Sequence, residues 1–398
     1  MRLDALAVDA TGFHELIEAL RFDFHKWDAW LSGTLRVLPE ALLLTRSELD
    51  DAIAICEAIN GALDRVTRVV REDRGAQSRL AIPPLLQELI QAEVDWPFQI
   101  ARYDLIPTDE GWMIPEFNED APGGFNEAIA ANALFGAVLA RGAIAGDFAA
   151  AFLDAVPTGD RCAMIYATGY AEDLQHVLVL ADRLRALGVD CVLASPDQLR
   201  CSVFGRPRVQ GIPVDWILRF FPGEWYPFIH NLRDWQRAVT RVPVVNPLGR
   251  ALRQTKALYA FWREHPDVAP ADRILLNRHT PETGWFDPAA IPGLAGDREP
   301  WVLKKVFGRM GDGVLMGRGC SAMDWQRGLD DAARRPADYL LQRAFRPHAL
   351  PSVTGAAQYP ALGIYLVNGR FGGCYSRADP IGFTTHEAHY VVTAVADS

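Results

Sequence analysis

Lysine is the residue that this sequence most lacks. The 398 residues include forty Lys and Arg, of which only Lys26, Lys256, Lys304 and Lys305 are lysines. Where arginine supplies nearly every positive charge, a lysine marks a position that uses a compact point charge. Genome composition produces the same bias, so the scarcity points to these positions without assigning them a role.

Several motifs are also absent. The six cysteines form no CxxC pair and no zinc pattern, which indicates reduced core thiols and predicts a cytoplasmic protein. No GxGxxG follows the first strand of the α/β segment, so a dinucleotide site is not expected. The N-terminus lacks a signal-peptide hydrophobic segment, and the longest apolar stretch, 128–153, is broken by polar residues and glycines. We therefore expect no membrane span.

The charge balance excludes two classes of partner. A net charge of −10 and a pI near 5.4 argue against nucleic acid or an anionic membrane as the main partner. Hydrophobic residues make up 49% and charged residues 23% of the chain, which is typical of a globular protein with a substantial core. The length predicts two or three domains.

The first two thirds of the chain read as helices followed by α/β structure. Apolar residues recur at helical spacing after Ser47, and we predict residues 1 to about 100 to be mostly helical, with a second helix at 83–92. A strand at 162–166, an amphipathic helix at 172–187 and a strand at 189–194 make a βαβ unit, which implies a parallel sheet.

The last third changes character. We predict one helix from Arg250 to Glu264 and a loop or lid over 266–300, which is rich in Pro, Gly and Asp. Strands are predicted at 301–307, 314–316 and 339–342. The dipeptide Asn368-Gly369 between two strand patterns is the strongest hairpin signal in the chain.

The segment 102–118 carries the clearest chemical pattern, and we interpret it as a β-hairpin. Folded about residue 110, it places Asp104 opposite Glu116 and Arg102 opposite Asn118 on one face. Facing carboxylates repel, and two of them beside an amide oxygen suit Mg²⁺. Neutralising either carboxylate is then expected to leave the stability of the apo protein unchanged or slightly higher. The alternative is a solvated surface hairpin.

Three further positions have two interpretations each, one as part of a binding site and one as an ordinary surface residue. Gly308 to Gly313 forms a glycine-rich loop whose N–H groups suit phosphates, while its Arg309 is equally well explained as a solvated side chain. Glu224 follows a strand at 214–221, where ligands commonly bind, or is a surface residue of a turn. Arg377 stands just after the second arm of the late hairpin. The residues alone leave these alternatives open.

Taken together, these motifs resemble the glutathionylspermidine synthase family, and most closely its stand-alone synthetase-like members without an amidase domain. The resemblance runs from about residue 22 to residue 393, with the motifs in the family's order. It implies an α/β (α+β) ATP-grasp fold with a Rossmann-like pre-ATP-grasp domain. The implied divisions are a helical N-terminal region with the hairpin (1–155), the Rossmann-like domain (156–250) and the nucleotide-binding region (251–398).

The family's members are ATP-grasp carboxylate–amine ligases, so the resemblance implies an activity. A substrate carboxylate takes the γ-phosphate of ATP, and an amine then displaces phosphate to leave an amide, with Mg²⁺ as cofactor. The implied residues are Asp104, Glu116 and Asn118 for the metal; Lys256, Lys304, Gly308, Gly311 and Gln342 for ATP; Arg102, Asp120 and Glu224 for substrates; and Arg309 and Arg377 for catalysis.

Departures from the family's pattern concern the acceptor pocket. Residues 119–123 read Glu-Asp-Ala-Pro-Gly, which lacks the hydroxyls that would hold glutathione. Lys305 replaces a proline and Met310 replaces a glutamate of the loop. We therefore expect a small amino acid, peptide or amine other than glutathione or spermidine as substrate.

Two rival functions remain at this point. One is an ATP-dependent small-molecule kinase that stops at phosphorylation, and the other is a catalytically silent ATP- and Mg²⁺-binding partner protein. The expected partners are a small-molecule carboxylate and amine, with no nucleic acid and no membrane. The oligomeric state, a homodimer included, is left open.

Overall fold

The computed structural model describes residues 1–94, 96, 98–308, 313–353, 355–382, 384–385 and 387–396. The strands are β1 (Arg2–Ala5), β2 (Trp30–Leu31), β3 (Thr34–Leu35), β4 (Val37–Leu44), β5 (Ile100–Thr108), β6 (Gly111–Met113), β7 (Phe117–Asn118), β8 (Ala143–Ile144), β9 (Arg161–Tyr166), β10 (Asp190–Ala194), β11 (Leu199–Arg200), β12 (Arg208–Val209), β13 (Ile212–Pro213), β14 (Trp216–Phe220), β15 (Val244–Val245), β16 (Thr283–Trp285), β17 (Trp301–Lys305), β18 (Val314–Met316), β19 (Tyr339–Arg343), β20 (Tyr359–Val367), β21 (Arg370–Asp379) and β22 (His389–Val395). The helices are α1 (Ala10–Phe22), α2 (Arg46–Glu72), α3 (Arg74–Arg79), α4 (Pro84–Ala92), α5 (Asn132–Gly136), α6 (Phe148–Ala155), α7 (Ala171–Ala186), α8 (Leu232–Ala238), α9 (Ala251–Gln254), α10 (Ala257–Glu264), α11 (Pro270–His279), α12 (Ile291–Gly296) and α13 (Ala322–Arg334).

The largest sheet is assembled from both ends of the chain. Its strand order is β1-β4-β22-β21-β20-β5-β6, with β7 beside β5 and β8 beside β22. β4 and β22 run parallel, and the other neighbours in that order are antiparallel. β20 and β21 are joined through Asn368 and Gly369, whose φ values are +51° and +75°. Positive φ at both turn residues suits a tight hairpin, so the hairpin predicted at this dipeptide is confirmed.

The second sheet is parallel and comes from the middle of the chain. Its order is β10-β9-β14-β15, with every pair parallel. β9, α7 and β10 form the predicted βαβ unit, in which Cys162 pairs with Cys191 and, on the other side, with Trp216. Helix α7 buries Leu180 and Leu184, as the amphipathic pattern of 172–187 predicts. This is the Rossmann-like domain expected from the sequence.

The third sheet carries two of the predicted ATP-binding residues. Its order is β16-β19-β17-β18, all antiparallel, with α13 packed against it. Lys304 lies on β17 opposite Leu340, and Gln342 lies on β19 opposite Val302. The indole N–H of Trp325 on α13 donates to the Leu294 carbonyl over 2.9 Å, which ties α12 to the helix that covers the sheet.

Helix α2 is the long helix predicted after residue 47. It begins after Thr45, whose side chain accepts from the Glu48 N–H while the Glu48 side chain accepts from the Thr45 N–H. Such a reciprocal cap satisfies two otherwise unpaired donors at the helix start. Cys56, Ile59 and Leu63 are buried at helical spacing, and α2 packs against β20 and β21. The predicted second helix is present as α4.

The helices α1, α2, α3 and α4 cover more than half of residues 1–100, so the predicted mostly helical start is confirmed, with β1 and β4 added as strands of the large sheet. Two other local predictions are wrong. The predicted helix 250–264 is broken into α9 and α10, because Thr255 has an extended ψ of 127° and donates its hydroxyl to the Leu80 carbonyl. The Lys256 N–H donates to the Val306 carbonyl at 3.0 Å. Tertiary hydrogen bonds therefore replace helical ones at the break.

The predicted loop or lid over 266–300 is also wrong, since α11, β16 and α12 occupy most of it. Pro270 occupies the first turn of α11, where a helix needs no N–H from that residue, so proline starts the helix instead of breaking it. Among the described residues, no helix is both long and apolar enough to cross a membrane.

Candidate active site

The face of β5 that carries Arg102 and Asp104 is the centre of the site. The predicted register is confirmed at the start of the hairpin, where Arg102 pairs with Asn118 and Tyr103 with Phe117. The Arg102 Nε and Nη2 donate to the two Asp104 oxygens at 2.8 and 2.9 Å, a two-pronged pair. Arg377 on β21 donates to Asp104 Oδ2 at 2.9 Å. Asp104 therefore holds two guanidiniums together.

The predicted opposition of Asp104 and Glu116 lies one step beyond the last observed pair of this register, Tyr103–Phe117. The ladder shifts by one residue between Tyr103–Phe117 and Ile106–Met113, and 114–116 lie outside the strands. The Ile114 N–H donates to the His279 carbonyl at 2.7 Å, and the next residue, Pro115, has no N–H to offer β5. Glu116 Oε1 lies 3.4 Å from Lys256 Nζ. Asp104 and Glu116 each contact cations, which offsets the repulsion expected between facing carboxylates, and their opposition stays a prediction.

The two predicted nucleotide lysines lie beside Glu116. Lys256 sits between α9 and α10, and its Nζ donates to the Gly308 carbonyl at 2.6 Å. Lys304 Nζ donates to the Pro115 carbonyl at 3.4 Å. Burial, and then repulsion from Lys256, lower the pKa of Lys304 to about 8. A buried ammonium with so little compensation is poised to bind an anion.

The pKa of Asp104 follows the opposite logic. Burial by itself raises the pKa of this carboxyl, but attraction to Arg102 and then Arg377 lowers it below its usual value. Asp104 therefore stays ionised, as the geometry of its contacts requires.

We call this group the cleft cluster, and its charges do not balance. Its members are Arg102, Asp104, Glu116, Lys256, Lys304 and Arg377. Four cations face two carboxylates, which leaves an excess of two positive charges among these side chains. Such an excess in a mostly buried place favours an anionic ligand, because unpaired charge is costly there.

The remaining predicted residues lie in different environments. Gln342 is buried and donates through Nε2 to Thr283 Oγ1 at 2.9 Å. Glu224 is half-buried in the short 3₁₀ segment Gly223–Phe228. The Gly308 carbonyl accepts a hydrogen bond from Lys256 Nζ. Arg309 and Gly311 lie outside the described residues, so nothing is added to their predicted roles.

Asp120 has a position that gives no support to substrate binding. It is fully buried, and so is Arg219, whose Nη2 donates to Asp120 Oδ1 at 2.6 Å. The Gly223 N–H donates to Asp120 Oδ2 at 2.7 Å. Both oxygens serve contacts that join the hairpin segment to β14, so the geometry indicates a packing role.

The comparisons with known proteins can be set beside this geometry. The family model described as glutathionylspermidine synthase preATP-grasp matches residues 13–396. The chain belongs to this family. The membership confirms the resemblance inferred from the motifs, and the ATP-grasp fold with a Rossmann-like domain is the fold expected of it.

One solved structure agrees at the level of the fold. The apo structure of a glutathione synthetase-like effector (GSS30) from Globodera pallida matches with a TM-score of 0.64 and 13% identity over 98% of both chains. At this identity the likeness concerns the fold alone. A putative gamma-glutamylcysteine synthetase from Methylobacillus flagellatus KT matches at 0.49, with 14% identity over 88% of this chain and 89% of that one. No curated protein matches the chain.

A magnesium site in this family member can be tested against the donor atoms. Within the described residues no group of three or more His, Cys, Asp and Glu side chains could hold a metal ion. Glu116 and Asn118 nevertheless fit Mg²⁺, which needs few protein ligands when phosphate oxygens complete its shell. The Asn118 Nδ2 faces Asp104 at 3.3 Å, so its carbonyl oxygen points elsewhere. Asp104 has the right donor chemistry, but both of its oxygens accept from Arg102 and Oδ2 also accepts from Arg377.

Sequence reasoning missed a second set of charges on the opposite side of the same strand. Glu119 is fully buried and accepts from the Tyr103 hydroxyl at 2.6 Å. Arg250 and Arg253 each donate to Glu119 Oε2 at 3.1 Å, and Arg253 also contacts Asp64. We call Tyr103, Glu119, Arg250 and Arg253 the core clamp. Its two arginines lie more than 130 residues from Glu119 in the chain, so no local pattern could have revealed their pairing.

Proposed function

We propose that this family member is an ATP-dependent carboxylate–amine ligase that releases ADP and phosphate. The observation that carries the proposal is the excess positive charge of the cleft cluster, because a magnesium–triphosphate and a substrate carboxylate are the anions that it would neutralise. The approach of a Rossmann-like domain, a nucleotide-binding sheet and the hairpin in one ATP-grasp fold supports the same activity.

The position of each predicted site residue discussed below supports a role in this reaction. Lys256 and Lys304 bind the phosphates, a role supported by the contact of Lys256 with the Gly308 carbonyl and of Lys304 with the Pro115 carbonyl. Arg102 binds the substrate carboxylate, and Arg377 stabilises negative charge on the group being transferred. Gln342 contributes to the adenine pocket, where its contact with Thr283 fixes the orientation of its amide.

Magnesium would be held by Glu116 and Asn118, with Asp104 joining them. When bound, it would neutralise phosphate charge and align the phosphoryl group for transfer. The roles of Gly308, Gly311, Glu224 and Arg309 are retained from the family resemblance as part of the proposal.

The reaction needs no covalent bond to the protein. A carboxylate oxygen attacks the γ-phosphorus, and the bond to the bridging oxygen of ADP breaks. The amine nitrogen then attacks the acyl carbon, phosphate leaves, and the nitrogen loses one proton to solvent. The cationic side chains stabilise charge that develops on the phosphoryl oxygens, which is the main contribution available to a protein in such transfers.

The segment after the metal hairpin supports a substrate other than glutathione or spermidine. Residues 119–123 carry no hydroxyl side chain, so the contacts that would hold glutathione in the family's pattern are missing from this segment. A small amino acid, peptide or amine is the substrate class that we propose, in a reducing cytoplasm that suits the unpaired cysteines.

One observation favours a second candidate, a silent ATP-binding partner protein. Both Asp104 oxygens are engaged by arginines, so a metal ligand is already satisfied within the protein. The kinase alternative has no such observation in its favour.

Phosphate release from ATP across a panel of amino acids, small peptides and polyamines tests the proposal. The ligase requires both an acid and an amine for turnover and yields ADP and phosphate. AMP and pyrophosphate as products would contradict it. Release that needs an acid alone would identify a kinase, and nucleotide binding without turnover across the panel would favour the silent partner.

A further inference from the structure

Tyr375 lies directly under the two arginines of the cleft cluster. It stands two residues before Arg377 on β21, and its side chain is nearly completely buried. The guanidinium carbon of Arg102 is 5.4 Å from the centre of its ring, and that of Arg377 is 6.0 Å from it. Both distances are within the range in which a ring face attracts a cation.

The ring occupies a slot that two glycines leave open. A Cβ at Gly363 would lie 2.6 Å from Tyr375 Cε1, and a Cβ at Gly124 would lie 3.0 Å from its Cζ. Real Cβ atoms do not approach as closely as the first distance, and the second is tighter than most of their contacts, so a side chain at either position would require the ring to move. Two residues that surround the Tyr375 ring are therefore glycines, and the ring occupies the space that their side chains would need.

The hydroxyl of Tyr375 distinguishes it from its neighbours in the core. The hydroxyls of Tyr103, Tyr365 and Tyr390 donate to Glu119, Gly123 and Asn132 respectively. Tyr375 makes no hydrogen bond to any described residue through its hydroxyl. Burial raises its pKa although Arg102 and Arg377 oppose the rise, so the phenol keeps its proton and remains a donor. The Tyr375 hydroxyl is therefore a donor to which no described residue is assigned, and a ligand or water can accept from it.

We propose that Tyr375 is a further substrate-binding residue, whose hydroxyl donates to the anionic group that Arg102 and Arg377 bind. Its ring at the same time holds the two like-charged guanidiniums side by side. The two charged guanidiniums and the neutral hydroxyl then donate to the oxygens of one carboxylate or phosphate group. This inference rests on the proposed function for the identity of the substrate, but the anion site itself does not require turnover.

Two substitutions separate the hydroxyl from the ring. Tyr375→Phe removes the donor and keeps the aromatic face, whereas Tyr375→Leu removes both. Tyr390→Phe is the matched control, because it deletes a buried hydroxyl that donates to Asn132 and not to an anion at the arginines, on the residue of β22 that pairs with Arg377 in the ladder. Thermal melts of all three variants report any loss that is purely structural.

The first readout is turnover. With Tyr375→Phe we expect the KM for the acid substrate to rise about tenfold while the KM for ATP stays unchanged, since a hydrogen bond to a charged group is lost. Tyr375→Leu raises the acid KM further and lowers kcat, because the arginines lose their common support. An acid KM for Tyr375→Phe equal to that of the Tyr390→Phe control would overturn the proposal, as would an equal rise in both KM values.

The second readout does not depend on activity. Inorganic phosphate is titrated calorimetrically into each protein with Mg²⁺–ADP at saturation, so that the nucleotide lysines are occupied. We expect Tyr375→Phe to bind phosphate about tenfold more weakly than the wild type and the Tyr390→Phe control. Phosphate binding by an inactive wild type contradicts the ligase and leaves the anion site standing. Equal phosphate affinity of the two Phe variants, or no binding by the wild type, overturns the anion site.

Discussion

The core clamp and the cleft cluster lie on opposite faces of β5 and use charge in opposite ways. In the core clamp, Glu119 is enclosed by Arg250, Arg253 and the Tyr103 hydroxyl, and Asp64 supplies a second carboxylate. Two cations meet two carboxylates there. In the cleft cluster, four cations meet two carboxylates.

The difference separates charge that stabilises the fold from charge that awaits a ligand. A buried ion pair that is fully satisfied is strongly destabilised when one partner is removed, since the other is left buried and unpaired. A cluster with surplus charge lowers the free energy of unfolding of the apo protein. Binding of an anion to the cluster raises that free energy again. The comparison therefore predicts how substitutions on the two faces of one strand divide between stability and ligand binding.

The largest expected effect belongs to the core clamp. Arg253→Met leaves the fully buried Glu119 with one cation and Asn60 with one donor fewer. We expect the free energy of unfolding to fall by about 3–5 kcal/mol. Urea unfolding followed by circular dichroism measures it. The control is Arg327→Met, which breaks an exposed pair with Asp324 on α13 and should cost less than about 1 kcal/mol. Similar losses in the two variants would mean that the clamp is not structural.

A matched pair in the cleft cluster tests the other side of the comparison. Asp104→Asn leaves Arg102 and Arg377 close together without their shared carboxylate, and we expect a loss of about 3 kcal/mol. Glu116→Gln removes a partly exposed carboxylate with one long contact, and we expect less than about 1 kcal/mol. This division corrects the expectation from the sequence, in which facing carboxylates made both substitutions neutral or stabilising.

Both substitutions should nearly abolish turnover in spite of their different costs, because an amide is a much weaker Mg²⁺ ligand than a carboxylate. Melts with and without Mg²⁺–nucleotide, run beside the turnover assay, separate the two effects. If Glu116→Gln kept wild-type turnover per folded molecule, the assignment of Glu116 to the metal would be wrong.

A smaller effect concerns Glu93. Its side chain contacts the start of segment 248–254, which carries Arg250 and Arg253 of the core clamp. Its carboxylate accepts from the Leu248 and Gly249 N–H groups at 2.6 and 3.1 Å. Burial, against the effect of these hydrogen bonds, raises the pKa of Glu93 from 4.5 to about 7. Because the folded state binds the proton more tightly, the stabilisation is present below pH 4.5 and is lost as the pH rises through 7.

We therefore expect Glu93 to lower the free energy of unfolding by about 2 kcal/mol between pH 5 and pH 8. Glu93→Gln should remove that part of the pH dependence, so the difference between variant and wild type is the quantity to measure. A wild-type slope that the variant retains in full would place the titration elsewhere.

The sequence predicted the parts of the fold that local chemistry decides. The hairpin at Asn368-Gly369, the capped helix after Thr45 and the βαβ unit each depend on residues close in the chain. The Arg102–Asn118 register was predicted for the same reason. The nucleotide lysines Lys256 and Lys304 were identified from the family resemblance, and their positions beside Gly308 and Pro115 agree with it while leaving their roles a proposal.

Long-range contacts account for what the sequence did not predict. The helix break at Thr255 depends on a carbonyl from Leu80, 175 residues earlier. The contact of Ile114 with His279 accompanies the interruption of the hairpin ladder at 114–116, and no pattern within the hairpin encodes it. The pairing of Arg377 with Asp104 joins residues 273 positions apart. Each of these contacts replaces a local preference by a tertiary one.

The smallest expected effect contrasts two adjacent lysines. Lys304 and Lys305 are neighbours on β17 and so point to opposite faces of the sheet, but Lys304 alone belongs to the cleft cluster. Lys304→Ala should weaken binding of a non-hydrolysable ATP analogue about tenfold, because one phosphate-facing charge is worth on the order of 1.4 kcal/mol. Lys305→Ala should change it less than about twofold. Lys256→Ala should resemble Lys304→Ala, whereas Lys26→Ala should leave nucleotide affinity unchanged, since Lys26 pairs with Asp28 and Glu127 elsewhere.

The pH dependence sharpens this contrast. The pKa of Lys304 is lowered from 10.5 to about 8, so its charge is present below pH 8 and is lost above it in the free protein. Nucleotide affinity of the wild type should therefore fall by up to about tenfold between pH 7.5 and pH 9, as binding must return the missing proton. Lys305→Ala should show the same fall, and Lys304→Ala should show almost none. Calorimetric titration in two buffers with different ionisation enthalpies measures the proton taken up. An equal pH response in the two variants would mean that Lys304 does not face the nucleotide.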